Sequence, residues 1–396
     1  MRTVLISLLL IALGLLASAL KAQTKPAANP GFAALAAKAN AARDAERLDE
    51  AVALYHKALA LRPGWAEGWW SLGTIEYDQS AYAEAERAFQ TVTVLAPKNG
   101  TAYVMLGLSE FELGHDDLSL RHIQKGTDLG LDKDLGLRHV VLYHEGVLLQ
   151  RKGKFEAAQE TLEQLCLQGV QNDEIANALG MTLLRLTTKN PPAQGAADAD
   201  IVVRIGRAEC LAGQKKYDEA RPGFETVVKE NPNHPNIHYA YGLFLLEARD
   251  LPAGVEQLKQ EIANNPGHVF ARLQIAAAQY KEDSAAGIPY AEEAVKLSPG
   301  VPFGHYLLGL LLLDADESAR AIPELEIAQK TFSRDPKVYF ALCSAYSRVG
   351  RKLEAARARA TFEQLSKEQS KSNREQGIGD TVGQKIGSSI DTPPPQ

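Results

Sequence analysis

The 396-residue sequence predicts an all-α fold built as a solenoid of stacked helical units, and two spacings carry that expectation. A Leu-Gly pair recurs as Leu72-Gly73, Leu106-Gly107, Leu179-Gly180 and Leu308-Gly309, with Glu145-Gly146 and Tyr241-Gly242 as relaxed forms. Gly73 to Gly107 and Gly146 to Gly180 are the same step of about 34 residues, a length typical of helical repeats. Gly242 to Gly309 is close to twice that step. Prolines keep it too, from Pro63 to Pro97, from Pro232 to Pro266 and, within a single position, from Pro266 to Pro299. A glycine inside a helix costs roughly 0.5–1 kcal/mol relative to alanine, so its recurrence needs a cause. The cause expected here is a neighbour packed so close that no side chain fits. At 45% hydrophobic residues the composition is that of an ordinary folded protein.

The chain begins MRTVLISLLLIALGLLASAL, with Arg2, an apolar run from Val4 to Leu20, and small residues at Ala17, Ser18, Ala19 and Ala22. That is the layout of a secretory signal. Residues 1–22 are therefore expected to be a signal peptide or an uncleaved anchor, and 23–30 a linker. Export to the periplasm or the cell exterior follows from this reading. Membrane contact is expected only if the segment stays uncleaved. No later run is long enough to span a bilayer; Tyr306–Leu313 is far too short.

The repeated unit is clearest where Trp69, Leu72, Gly73, Ala85, Phe89 and Pro97 follow one another, with Tyr77 between them. Tyr339, Leu342, Tyr346, Gly350 and Ala355 repeat the pattern late in the chain, and Ala39, Ala51, Tyr55, Ala58 and Pro63 early. Fragments persist at Gly146, Ala158 and Leu162, at Ala220, Phe224 and Pro232, and at Gly309, Ala321 and Leu325. This series resembles the tetratricopeptide repeat of exported bacterial proteins, a helix–turn–helix unit patterned W-x2-L-G-x2-Y, A-x3-F, P. The resemblance implies a right-handed superhelical solenoid of about nine units over residues 31 to 370. In each unit an A helix packs on a B helix, small residues such as Gly73 and Ala85 let the backbones approach, and proline ends the B helix.

The register fails between Gly180 and Pro232. Asn190-Pro191-Pro192 and Gly195 stand where a B helix is due, and Gly206 follows Gly180 too soon for a whole repeat. The expected organisation is an N-terminal repeat block over 31–187, an interrupting loop over 188–199, and a C-terminal block over 200–370. The loop reads equally as a hinge or as a neutral insertion. Residues 371–396, rich in Gly and Ser and closing on three prolines, are expected to be a disordered tail.

Chemistry is poorly represented. Formal net charge is −6 and the pI about 5.9, which disfavours nucleic acid. The basic residues Arg348, Arg351, Lys352, Arg357 and Arg359 read as a solvated helix face. His144-Glu145 opens like a zinc-protease helix, but Leu148 stands where the second histidine belongs. His234 and His238 flank Pro235 with no third ligand in sight, and His115-Asp116-Asp117 sits at a turn. Asn99-Gly100-Thr101 reads as inter-repeat turn chemistry. Cys166, Cys210 and Cys343 are an odd set without metal spacing, and free buried thiols are the default expectation. No enzyme activity, cofactor or metal is expected.

Function then falls to the surface that stacking creates. The resemblance implies a concave groove lined by A helices, contacted through fixed positions of each unit. Carried onto this chain, one such position is Trp70, Val104, Tyr143, Asn177, Tyr239, Tyr306 and Phe340, and a second adds Tyr77 and Phe111. A third adds Leu108, Met181, Leu243 and Leu310. The Lys and Asn pairs that clamp a C-terminal carboxylate in some family members are absent from these positions. Trp70, Tyr77, Phe111, Tyr143, Tyr239, Tyr306 and Phe340 are thus the expected contacts of a protein or peptide partner. The competing reading is that they fill space between adjacent A helices. A carbohydrate ligand stacked on the aromatic ladder is the alternative function.

Overall fold

The computed structural model describes residues 30–131, 135–189, 192–193 and 195–375. The expected signal segment, nearly all of the linker, and the tail beyond residue 375 lie outside the described residues. The described residues are all-α, with 19 helices and no strand. They are α1 (Pro30–Asp44), α2 (Leu48–Leu61), α3 (Ala66–Asp78), α4 (Tyr82–Leu95), α5 (Gly100–Glu112), α6 (Asp116–Leu129), α7 (Leu135–Arg151), α8 (Phe155–Leu167), α9 (Asp173–Leu183) and α10 (Ala197–Gly213). The series continues with α11 (Tyr217–Glu230), α12 (Ile237–Glu247), α13 (Leu251–Asn264), α14 (Val269–Gln279), α15 (Ser284–Leu297), α16 (Pro302–Asp314), α17 (Ser318–Thr331), α18 (Pro336–Arg348) and α19 (Lys352–Glu375). Helix α19 thus runs past the boundary expected at 370, to Glu375. The chain divides into two compact units, Met1–Lys152 and Gly153–Gln396.

In unit 1 the helices pair as α1/α2, α3/α4 and α5/α6, joined by the short turns that make antiparallel neighbours. Ala39, Ala42, Tyr55, Leu59, Leu72 and Ile75 form a core beneath the first two pairs. A Cβ placed on Gly73 would lie 3.0 Å from the Ala88 methyl and 3.1 Å from the Phe89 ring, and one on Gly107 would lie 2.7 Å from Ile123. Close packing is therefore why glycine recurs. Ala85 and Phe89 are fully buried beside it. Asn99 caps α5, its side-chain oxygen accepting from the Ala102 amide at 3.1 Å.

Two regularities were invisible as motifs. The residue two places beyond every A helix takes a positive φ: Glu46, Ser80, Gly114, Gly153, Arg185, Lys215, Arg249, Lys281, Asp316 and Gly350. Early in four A helices, a ring N–H or O–H donates to a carbonyl six residues back. Trp69 reaches Pro63 at 2.7 Å, and His238 reaches Pro232, His305 reaches Pro299 and Tyr339 reaches Ser333, each at 2.9 Å. The tryptophan position asks for a donor on a flat apolar ring, which three residue types supply.

In unit 2, α9 and α10 follow one another directly, each with a positive φ two places beyond its end, at Arg185 and Lys215. The B helix due after α9 is missing, and α10 packs on α8, α9 and α11 instead. Gly180 and Gly206 make this possible. A Cβ on Gly180 would lie 1.9 Å from the Val202 carbonyl oxygen, and one on Gly206 would lie 1.7 Å from that of Ala176. The short step from Gly180 to Gly206 is thus one helix crossing, with a glycine from each side set against the other helix's backbone. The division between compact units falls at Lys152/Gly153.

The same contact corrects the cysteine expectation. Cys166 of α8 and Cys210 of α10 form a disulfide with Cα atoms 5.2 Å apart, leaving Cys343 as the free thiol. Beyond α11, pairing resumes as α12/α13, α14/α15, α16/α17 and α18/α19. Gly242 faces Leu258 and Gly309 faces Leu325, where a Cβ would lie within 2.9 and 2.6 Å. Ala355, on α19, is buried in the last core.

Candidate functional site

Near the C-terminal end of unit 2 the A helices α16 and α18, with Tyr280 after α14 and Phe362 on α19, enclose a concave cavity of 560 Å³. Tyr280, Tyr306, Leu310, Phe340 and Phe362 give it an apolar floor and wall. Phe340 is 60% exposed, an unusual state for a large ring, and its centroid lies 5.5 Å from that of Phe362. Two of the expected groove residues, Tyr306 and Phe340, therefore meet at one site.

Charges form the rim. The Lys281 ammonium pairs with Asp314 at 2.5 Å, and the Ser284 hydroxyl donates to the same carboxylate at 2.7 Å. Lys281 and then Ser284 hold the Asp314 carboxyl below the usual carboxylate range. Arg348 donates to the Leu313 carbonyl and, at 3.0 Å, to Asp316. Asp335 accepts from the Lys337 amide at 2.8 Å and so caps α18. Burial, followed by the Asp335 charge, pushes the Tyr306 phenol upward, so it stays a neutral donor. The arrangement can seat an apolar or aromatic group while offering charged hydrogen-bonding groups at its edge.

The other expected groove residues do not join it. Trp70 is half-buried with its ring 5.5 Å from Phe89, and Tyr77 is buried against Tyr82 at 5.4 Å. Phe111 is half-buried between the His144 ring at 4.6 Å and the Arg151 guanidinium at 4.4 Å. Tyr143 is half-buried against His144. Val104 is fully buried. Tyr239, expected in the groove, is only 1% exposed and is a core residue. The Arg185 guanidinium and the His268 ring lie against it, and a distant segment supplies the arginine.

The histidines singled out in the sequence have partners of their own. His144 donates from Nδ1 to the Val140 carbonyl at 2.7 Å, and burial lowers its pKa to about 4. His238 is occupied by Pro232 and Gln257, while Nε2 of His234 lies 3.4 Å from Asp198, so the two do not converge. A grouping that the sequence hid is Glu163, Glu209 and Glu247, whose carboxylate oxygens from α8, α10 and α12 lie within 4.8 Å of one another. Burial, then the Glu163 charge, pushes Glu209 well above the carboxylate range. The Gln159 amide donates to Glu209 at 2.5 Å and to Glu163 at 2.8 Å, and Lys215 pairs with Glu247 at 2.7 Å. The Lys215 ammonium offsets part of the cluster's charge.

In unit 1, Glu76 is 4% exposed, and burial followed by Glu84 pushes its carboxyl up to about 7. Its raised pKa means that its contribution is full below the ordinary value of 4.5 and is lost as pH rises through about 7. Tryptophan-monitored urea melts should therefore show unit 1 losing stability across that window. The Glu76→Gln variant should flatten the profile; an unchanged slope would reject the assignment. The probe is local because Trp65, Trp69 and Trp70, all three tryptophans, lie in unit 1.

Comparison with known proteins adds the following. The family model described as tetratricopeptide repeat matches residues 36–100, 71–124 and 205–269, the last beginning inside α10 as expected for an A helix. No curated protein matches the chain. Among solved structures, the MamA RS-1 ArsTM double mutant is 19% identical, covers 42% of this chain and 94% of its own, and has a TM-score of 0.40. Yeast Tom70 is 13% identical, with 91% and 93% covered and a TM-score of 0.34. YrrB, titled a TPR protein with an unusual peptide-binding site, is 17% identical, with 55% and 95% covered and a TM-score of 0.30.

Proposed function

The chain is a tetratricopeptide-repeat protein, and we propose that it is a non-catalytic scaffold holding a protein or peptide partner in the cavity at the C-terminal end of unit 2. One observation carries the reading: an exposed Phe340 beside Tyr306 and Phe362 at the mouth of a concave apolar space. Rigid rings bury much area at little entropic cost, which is how a few anchors dominate an interface. We place this work outside the cytoplasm, in the periplasm or beyond, in assembly of envelope or secretion machinery. The signal-like N-terminus supports that placement. So does the Cys166–Cys210 disulfide, since such bonds persist in oxidising compartments.

The test is capture from an envelope extract by the purified chain, beside a Phe340→Ala, Phe362→Ala variant of matching helical circular dichroism. A specific protein retained by the wild type should be lost from the variant by about tenfold or more, the effect of removing one hot spot. Equal retention by both would overturn the cavity as the site. Polysaccharide retained in place of protein would favour the carbohydrate alternative.

A further inference from the structure

Arg185 follows the end of α9 at a φ of 55°. Its guanidinium faces three rings from three other helices. The carbon lies 4.0 Å from the Phe270 centroid, 4.6 Å from Phe155 and 5.6 Å from Tyr239. Its Nη1 donates to Glu156 at 2.7 Å, with the two side chains only 11% and 10% exposed. The surrounding polar groups hold this box in shape. The Asn236 amide donates to the Leu184 carbonyl at 2.9 Å, and Asn236 Oδ1 lies 3.0 Å from His268 Nε2. His268 Nδ1 accepts from the Ala271 amide at 2.9 Å, so the imidazole proton sits on Nε2 and completes the chain. Burial and then Arg185 lower the His268 pKa to about 4, keeping that tautomer neutral.

We propose that this box, with rings from the A helices α12 and α14 and from the B helix α8, is a guanidinium-binding site of unit 2 that the chain fills with its own Arg185, so that an arginine-bearing segment of a partner enters only by displacing it. The inference rests on unit 2 being the unit that holds the partner. The chemistry is selective: ring faces and one buried carboxylate suit a planar, weakly hydrated cation, whereas a lysine ammonium gives up more hydration and presents no flat face. A tethered side chain competes at an effective concentration on the order of millimolar, so dilute arginine ligands do not enter the intact protein.

The probe is the capped tripeptide Ac-Ala-Arg-Ala-NH2, titrated by NMR into the full chain. The Arg185→Ala protein should bind it at least about tenfold more tightly than the wild type, because the tethered competitor is gone. Ac-Ala-Lys-Ala-NH2 should not bind, and adding Phe270→Ala should abolish the gain. Equal binding by wild type and variant, or equal binding of the two peptides, would overturn the proposal. If Arg185→Ala does not fold alone, refolding in ethylguanidinium against ethylammonium decides instead. Helical recovery with the guanidinium only supports the site, and no recovery or equal recovery rejects it. The box shares no residue with the Tyr306–Phe340 cavity, so this titration and the capture experiment fail independently.

Discussion

Replacing Gly206 by alanine should destabilise unit 2 by about 4 kcal/mol, in the exceptional tail for a single methyl group. On helix propensity alone the change would stabilise by roughly 0.5–1 kcal/mol. The new Cβ would however sit 1.7 Å from the Ala176 carbonyl oxygen, and a backbone atom cannot rotate aside. Overpacking typically costs about 1–3 kcal/mol even where side chains can shift, so the steric term wins. Gly73→Ala is the control: its neighbours are a methyl and a ring edge at 3.0 and 3.1 Å, and the cost should stay near about 1 kcal/mol. Urea melts distinguish the two. Tryptophan fluorescence reports unit 1, so Gly206→Ala should leave that transition in place and move only a part of the helical signal. A wild-type helical midpoint would show that α9 and α10 do not cross as described.

Reduction of the disulfide should be nearly as costly. Cys166 and Cys210 are separated by 44 residues, and closing a loop of that size removes about 4 kcal/mol of chain entropy from the unfolded state. The staple joins α8 to α10 at the place where a B helix is missing, and adds a covalent link to the packing of α10 on α9. Cys166→Ser, Cys210→Ser should shift the same part of the helical melt and spare the tryptophan transition. Thiol titration of the unreduced, denatured chain should find one free thiol, Cys343, and not three. Three thiols, or a melt insensitive to reductant, would return the cysteines to the free state that their spacing suggested.

Much of the scaffold was legible because the repeat imposes the same packing on the same residue types. Gly73, Gly107, Gly242 and Gly309 each face a B-helix residue too close for a side chain, and the spacing announced them. Tyr306 and Phe340 share one position within the unit, and both line the cavity. Tyr239 shares that position yet is buried, since whether an A-helix ring faces solvent depends on what else reaches it. Here Arg185 does, from a remote part of the sequence that no repeat register links to it. Phe362 and Tyr280 were missed because they lie outside the positions that repeat.

Periodicity alone determined that the chain is an all-α repeat protein, and which small residues most of its helix pairs need. Those are local demands: each is met within about 34 residues of chain, so sequence spacing records them. The break after α9 decided the rest. Once a B helix is absent, α10 meets α9 and α8 directly, Cys166 meets Cys210, three glutamates converge, and Arg185 lands among aromatic rings. Such contacts join residues whose separation follows no period. They exist only because close packing leaves no space unfilled, and so only the tertiary structure could decide them.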